Sequence, residues 1–162
     1  MARTQVILTR NPGAGVDVED LVREELLSQA IGDSQVGIDG PETRLSSKAA
    51  EVLNLAVHEL ATNSIKFGAL RERNGRVAIA WTVGTQAGQP WLRFAWIESG
   101  VRVAAVAPRR EGFGSELITR RVPYELQGKG TFELKPGGIH CIIEFPLTDR
   151  ESILETSMRE SG

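Results

Sequence analysis

The chain has 162 residues, a formal net charge of −2, 41% hydrophobic residues and 25% charged residues. These totals are ordinary for one soluble domain with a substantial core, and they argue against a general nucleic-acid-binding surface. No apolar run is long enough to span a bilayer. The single cysteine, Cys141, excludes an internal disulfide and fits a reducing, cytoplasmic compartment. With two histidines and one cysteine, a structural zinc site is not expected.

The first part of the chain is predicted to contain one helix and two short strands. Residues 1–16 have no clear pattern. Asp17 is placed to cap a helix over residues 18–30, whose first turn carries acidic residues that favour a helix N-terminus. Residues 35–38 and 43–45 have the composition of short strands on either side of an Asp-Gly-Pro turn.

A long amphipathic helix is predicted over residues 52–70, which contain no proline and only one glycine. Ser46 or Ser47 would cap its N-terminus, and Gly68 would end it. At about 100° per residue, an apolar face follows the helix. The members of this face are Leu53, Ala56, Val57, Leu60, Ser64 and Phe67.

A polar stripe borders the apolar face and consists of Glu59, Asn63 and Lys66 at helical spacing. A carboxylate can orient or deprotonate a water, an amide oxygen is a hard ligand suited to Mg²⁺, and a lysine attracts phosphate. The same spacing also fits an ordinary amphipathic helix with polar residues at its border. The pattern alone therefore leaves a structural and a chemical interpretation open.

Alternating residues predict two strands, at 76–83 and 91–97, joined by a hairpin loop at 84–90. A period of two places Glu98 on the same side of the second strand as Trp96. If that side faces the helices, the Glu98 carboxylate enters the seam between the sheet and the helix layer. The alternative is that the strand ends one residue earlier and the acid is solvated.

A long loop without clear periodicity covers residues 99–111, and a loop of this length in a compact domain is often a functional lid. Gly112-Phe113-Gly114 then opens a helix predicted over residues 115–122. Glycines at a helix N-terminus let backbone N–H groups approach an anion. The upstream pair Arg109-Arg110 could reach a phosphate or lie in solvent.

The last part of the chain is predicted to form a hairpin. Pro123 is expected to kink or restart the preceding helix. Strands at 130–135 and 139–145 flank a Pro-Gly-Gly turn, and we interpret His140 and Cys141 in the last strand as structural residues. The order of elements is not a strict βαβ alternation. It predicts an α+β two-layer sandwich, with a mixed, mainly antiparallel sheet and helices on one face.

Several motifs, in order and at matching spacing, resemble those of the HWE family of bacterial sensor histidine kinases. The resemblance runs from about residue 18 to residue 147. It implies the Bergerat ATP-binding sandwich that the GHKL ATPases and kinases share. The matching segments are HELATNSIKFGAL at 58–70 (the N box), WIE at 96–98 (the W-x-E motif), GFGS at 112–115 with Leu117-Ile118 (the second glycine box), and PGG at 136–138 with the strand that ends in Pro146-Leu147 (the closing hairpin).

The resemblance implies ATP and Mg²⁺ as ligands. Asn63 would coordinate Mg²⁺, Glu59 would polarise a water or the incoming nucleophile, and Lys66 would contact phosphate. Glu98 stands where related kinases carry an aspartate that accepts a hydrogen bond from the adenine amino group. Guanine presents a carbonyl oxygen there, so a carboxylate would select adenine. The glycine box would line the phosphates and hinge the lid. The further nucleotide-binding candidates are Gly100, Arg110, Gly112, Phe113, Gly114 and Ser115.

His58 matches the N-box histidine and is a candidate catalytic residue together with Glu59 and Lys66. Adjacent helix positions do not share a face, so His58 points away from the polar stripe. The phosphorylated histidine of the family lies on a separate helical domain. We therefore expect His58 to brace the helix or the neighbouring lid.

Two features depart from the family pattern. The acceptor domain is absent, so residues 1–16 are interpreted as its remnant or a linker, residues 17–147 as the ATP-binding domain and residues 148–162 as a polar tail. The family usually continues W-x-E with Ser-Gly-Gly-Pro, whereas this chain has Ser-Gly-Val-Arg at 99–102. This is a change at the predicted hinge of the lid.

The expected function is the ATP-binding catalytic domain of a two-component sensor histidine kinase. It would transfer the γ-phosphate of ATP to a histidine on a separate dimerisation domain, with a response regulator as an indirect partner. We expect a monomer that contacts neither nucleic acid nor membrane. Two alternatives are a docking module that kept the fold and lost nucleotide, motivated by Val101-Arg102, and a free-standing serine kinase of the anti-sigma type.

Overall fold

The computed structural model describes residues 15–102 and 113–147, with only the backbone of Phe113 and Gly114. The predictions for residues 1–14, for the tail and for most of the lid, including Arg109, Arg110 and Gly112, lie outside the described residues. No helix within the described ranges is long and apolar enough to cross a membrane.

The described elements follow the predicted order. The helical elements are α1 (Val18–Ser28), α2 (Ser47–Phe67), a 3₁₀ turn (Ala69–Arg71), α3 (Phe113–Glu116), a π-helical segment (Leu117–Arg121) and α4 (Val122–Leu126). The strands are β1 (Val16–Asp17), β2 (Val36–Asp39), β3 (Arg44–Leu45), β4 (Arg76–Gln86), β5 (Gln89–Ser99), β6 (Lys129–Lys135) and β7 (Gly138–Pro146).

The two long helices begin at the predicted caps. The Asp17 carboxylate accepts a hydrogen bond from the backbone N–H of Asp20 at 3.2 Å, and the Ser46 hydroxyl oxygen accepts one from Ala49 N–H at 3.1 Å. Each cap satisfies a donor that the first helical turn leaves unpaired. Gly68 ends α2, as predicted, and its N–H donates to Ser64 O. The helix thus begins earlier than residue 52 and ends before the 3₁₀ turn.

The sheet is mixed and mainly antiparallel, as predicted, with the strand order β2-β4-β5-β7-β6. The β2–β4 pair is parallel, and the pairs β4–β5, β5–β7 and β6–β7 are antiparallel. The short strand β3 pairs with β1 in a separate two-stranded sheet. The two strands predicted at 35–38 and 43–45, which correspond to β2 and β3, therefore lie in different sheets.

The predicted loop at 84–90 is wrong, because the β4–β5 ladder continues through it to the pair Gln86–Gln89. Ala87 and Gly88 form a two-residue turn, with φ values of 51° and 77°. Positive φ at both central residues matches the turn type whose twist suits a tight hairpin. The sequence Ala-Gly lacks the asparagine or aspartate that usually signals this turn.

One face of the sheet is buried against the helices. On β4, β5 and β7 the buried residues alternate with exposed or half-buried ones, as a half-buried sheet requires. The predicted apolar face of α2 is buried with one exception: Phe67, in the last turn, is 38% exposed. The buried sheet residues are Val77, Ile79, Trp81, Leu92, Phe94, Trp96, Glu98, Gly138, Ile139, Cys141, Ile143 and Phe145.

Cys141 lies on the buried face of β7, in register with Trp96 of β5. Burial raises the pKa of its thiol well above the ordinary range, so the sulfur stays protonated and packs as a small apolar group. This agrees with the interpretation of Cys141 as a structural residue.

The helix after the lid starts at Phe113, slightly earlier than predicted, and contains a π-helical segment before Pro123. An ion pair fastens it to the start of α2. Lys48 Nζ lies 2.7 Å from Glu125 Oε1, and Arg121 donates to the other oxygen of the same carboxylate. The hydrogen bonds from Lys48 and then Arg121 hold the pKa of Glu125 below its ordinary value.

This ion pair predicts a pH-dependent contribution to stability. A carboxyl group with a lowered pKa in the folded state stabilises the fold fully above its unfolded pKa, and the contribution disappears as the pH falls through the folded pKa. We expect Glu125→Gln to lower Tm at pH 7 by on the order of 2 °C. The difference from the unchanged chain should vanish in acid and shrink in 1 M NaCl, as measured by thermal melts. A pH-independent difference would contradict the ion-pair explanation.

Candidate functional site

The polar stripe of α2 lies at the border of the buried core. Glu59 and Asn63 are half-buried, and Lys66 is exposed. The neighbouring Leu60 and Ser64 are buried, which places the stripe beside the core rather than on the far side of the helix. The helix also packs against α3, the first turn after the lid. The structure therefore places the N-box helix against the end of the glycine box.

The most unusual residue of the structure is Glu98, at the end of β5. It is 2% exposed and is the one charged residue that is buried in the described part of the chain. Its strand position puts it on the helix-facing side with Trp96, and β5 continues one residue beyond it. The seam placement is thus confirmed and the solvated alternative is wrong.

Two neutral donors hold the Glu98 carboxylate. Ala69 donates its backbone N–H to Oε1 at 3.0 Å, and Trp96 donates its indole N–H to Oε2 at 3.1 Å. Ala69 belongs to the turn that directly follows α2. The carboxylate therefore links the end of the N-box helix to the W-x-E strand through a single hydrogen bond. A carboxylate has about four acceptor positions, and these two hydrogen bonds use two of them.

Two glycines leave space for this acid. A Cβ added at Gly68 would lie 2.5 Å from Glu98 Oε1, and a Cβ added at Gly138 would lie 2.6 Å from Glu98 Cβ. Gly138 also has a φ of 142°, which side chains rarely adopt. The sequence predicts Gly68 at the helix end and Gly138 in a hairpin turn, but it does not predict their shared contact with the acid. Nothing in their local sequence signals that contact.

The turn after α2 is well packed against the end of β5. Gly100 has a φ of 82°, and a Cβ there would lie 2.6 Å from Asn74 O. Val101 follows, 5% exposed, and forms a bridge with Gly137 of the closing hairpin. The departure from the family pattern at Val101 is therefore accommodated by packing.

His58 lies away from the stripe, as predicted from its helix position. Its Nδ1 is 2.6 Å from Glu25 Oε1 of α1, and Gln29 Nε2 donates to His58 O at 3.3 Å. Thr62, one turn later, donates to Gln29 Oε1 at 3.3 Å. These contacts join α2 to α1, which gives His58 a bracing role between helices. Its position gives no support to a catalytic role for His58.

Of the other predicted site residues, some are described by the structure and some are not. Ser115 is half-buried, and its carbonyl accepts a hydrogen bond from Thr119 Oγ1. Arg110 and Gly112, as well as the side chain of Phe113, lie outside the described residues. The described part of the site thus consists of the α2 stripe, the buried acid and the turn between them.

Comparison with known proteins supports the predicted relationship. No protein-family model matches the chain. Over 114 residues, 70% of the chain, it is 33% identical to the blue-light-activated histidine kinase of Brucella anthropi. The chain spans about a quarter of that relative's length, since the match covers 23% of it.

The chain is homologous to the histidine kinases.

Solved structures show the same fold. The ATP-binding domain of PrrB from Mycobacterium tuberculosis matches with a TM-score of 0.57 at 22% identity, over 83% of this chain and 96% of that domain. The histidine kinase ThkA, solved in complex with the response regulator TrrA, matches with a TM-score of 0.53 at 17% identity, over 82% of this chain and 41% of ThkA. This histidine-kinase homologue therefore has the two-layer fold of a histidine-kinase ATP-binding domain.

The contribution of the Trp96 hydrogen bond to stability can be measured by comparing Trp96 with a second buried tryptophan. Trp96 is buried and donates to a carboxylate, whereas Trp81, 2% exposed, donates to the neutral Pro41 O at 2.7 Å. Hydrogen bonds to charged groups contribute about 1.5–3 kcal/mol and neutral ones about 0.5–1.5 kcal/mol. We expect Trp96→Phe to lower the free energy of unfolding by about 1 kcal/mol more than Trp81→Phe, measured by urea denaturation. Equal losses would show that Glu98 does not depend on the indole N–H.

Proposed function

We propose that this histidine-kinase homologue is an ATP-binding catalytic domain that supplies the γ-phosphate for transfer to a histidine on a separate domain. The buried Glu98 carboxylate carries the proposal. An unpaired charge in a protein interior is costly, and here the described donors to it are neutral. An apolar or amide side chain would avoid much of this cost, so a ligand contact explains why the position holds an acid.

The adenine amino group is the donor that suits this carboxylate. It would add a third N–H to an acceptor whose two oxygens are already oriented by Ala69 and Trp96. A base with a carbonyl oxygen at the same ring position would place two oxygens against each other. That leaves a desolvated charge without a donor and disfavours the wrong base.

The α2 stripe suits the phosphate end of the same nucleotide. Asn63 offers a half-buried amide oxygen, which fits Mg²⁺ because this ion takes few protein ligands and completes its shell with water and phosphate oxygens. Mg²⁺ bound there would neutralise negative charge on the transferring phosphoryl group. Lys66, exposed at the end of the helix, is free to extend toward a phosphate oxygen as a point charge. Gly100, Gly112, Gly114 and Arg110 are proposed to complete the phosphate side.

Glu59 is proposed as the group that orients the incoming nucleophile. It lies one helical turn before Asn63 on the same side, and it is half-buried. A half-buried carboxylate can still reach the proton of an incoming nucleophile, and the helix fixes the position of its backbone. The contribution of the protein to phosphoryl transfer would be mainly positioning and charge neutralisation.

The proposed partners are a phosphoacceptor domain and, through it, a response regulator. ThkA is a histidine kinase solved with its response regulator, and it shares the fold of this chain. The acceptor histidine would come from the partner domain, because His58 is engaged with Glu25 in the seam between α1 and α2.

Nucleotide binding is tested by calorimetric titration with a non-hydrolysable ATP analogue, with and without Mg²⁺. We expect this adenine analogue to bind much more tightly than the corresponding guanine analogue, and Mg²⁺ to strengthen its binding. Asn63→Ala should remove the Mg²⁺ dependence and weaken binding by at least about tenfold, a loss of about 1.4 kcal/mol. The matched control is Asn54→Ala, because Asn54 is exposed on the opposite side of the same helix.

Equal binding by Asn63→Ala and the unchanged chain would remove Asn63 from the site. Equal binding of the adenine and guanine analogues would remove Glu98 from base recognition. A folded chain that binds no nucleotide would favour the docking-module alternative.

Phosphoryl transfer is tested by mixing the chain with a phosphoacceptor domain of a blue-light-activated histidine kinase and labelled ATP. We expect label that is labile in acid and stable in base, as for phosphohistidine. Glu59→Gln should lower the transfer rate by about 10²-fold or more, as for loss of a general base, while nucleotide binding persists. Acid-stable label would instead support the serine-kinase alternative.

A further inference from the structure

A glutamine outside every motif holds the turn that follows α2. Gln35 precedes β2, and its amide nitrogen Nε2 lies 3.2 Å from Ala69 O, 2.7 Å from Glu72 O and 3.0 Å from Gly75 O. One side chain thus contacts backbone carbonyls at both ends of residues 68–75, which we call the α2–β4 turn.

Ala69 is held from two sides. Its carbonyl accepts from Gln35, and its N–H donates to the buried carboxylate of Glu98. A displacement of Ala69 would move or break the hydrogen bond that orients Glu98 Oε1. Gln35 is therefore linked to Glu98 through the backbone of Ala69, and no described hydrogen bond joins Gln35 to the acid directly.

The α2–β4 turn has little room to adjust by itself. A Cβ added at Gly75 would lie 1.9 Å from Ala69 O, so the two ends of the turn are in close contact. A Cβ added at Gly100 would lie 2.6 Å from Asn74 O, so the turn also packs against the residue that follows the W-x-E strand. The position of the turn is thus coupled to both the acid and the start of the lid.

The three carbonyls keep other donors when Gln35 is removed. Glu72 N–H donates to Ala69 O at 3.2 Å, and Gly75 N–H donates to Glu72 O at 3.1 Å. Arg76 donates to Gly75 O at 2.9 Å. Loss of the glutamine amide therefore leaves none of these carbonyls without a partner, and the fold is expected to survive. What the amide adds is that it holds the carbonyl oxygens of Ala69, Glu72 and Gly75 around a single nitrogen atom.

We infer that Gln35 is a positioning residue of the nucleotide site, which sets base selectivity by fixing Ala69 and, through it, the Glu98 carboxylate. The inference rests on the proposed function, because selectivity has meaning only where Glu98 contacts a base. A residue that merely supported the fold would change the affinities for all nucleotides together.

The test compares non-hydrolysable analogues of ATP and of inosine triphosphate, whose base has a carbonyl in place of the adenine amino group. Affinities and Tm are measured for the unchanged chain, Gln35→Ala and Gln35→Glu. We expect Gln35→Ala to weaken the adenine analogue about fivefold, the equivalent of one hydrogen bond, and to leave the inosine analogue within about twofold. Gln35→Glu should lose more, because its carboxylate faces three carbonyl oxygens.

The matched control is Gln89→Ala. Gln89 is exposed at the other end of β5, roughly 30 Å along the strand from Glu98, and its loss should change neither affinity. Equal losses for both analogues in Gln35→Ala, or no loss for either, would overturn the inference while the proposed function stands. An unchanged chain that binds neither analogue, or both alike, would overturn the proposed base contact and this inference with it.

Discussion

A carboxylate buried between a sheet and its helix layer requires donors at fixed positions, and Glu98 obtains them from two different elements. Trp96 supplies one from the same strand, and Ala69 supplies the other from the turn after α2. Since a buried charge with a missing donor costs several kcal/mol, strand, turn and helix end cannot shift independently. Gly68 and Gly138 provide the space that this arrangement needs. The geometry of the proposed site follows from satisfying this one acid.

The local features that depend on periodicity and caps could be predicted from the sequence. The alternation of β5 predicted the side on which Glu98 lies, and Ser46 and Gly68 marked the bounds of α2. The backbone partner of Glu98, the N–H of Ala69, could not be predicted, because a backbone N–H carries no sequence signal. Gln35 was missed for the same reason: its acceptors are carbonyls, which every residue has. Phe67 was assigned to the core because helical periodicity does not show where neighbouring elements stop covering a helix.

The helix that carries the polar stripe is fixed at three levels along its length. At its start, Lys48 pairs with Glu125 of α4, which follows α3 and the π-helical segment. His58 joins its middle to α1 through Glu25, and the turn after its end is held by Glu98. A helix anchored in this way presents the backbone positions of Glu59 and Asn63 at constant spacing, so the helix that carries them does not have to be ordered by a ligand.

The two ends of the proposed nucleotide site depend on different parts of the chain. The stripe belongs to α2 and the buried acid to β5, and the α2–β4 turn donates a hydrogen bond to the acid. Val101, just after β5, forms a bridge with Gly137 of the closing hairpin. Under the proposed function, base recognition by Glu98 would depend on hydrogen bonds that the fold already makes, whereas phosphate binding would also depend on the lid sequence from residue 103 to residue 112.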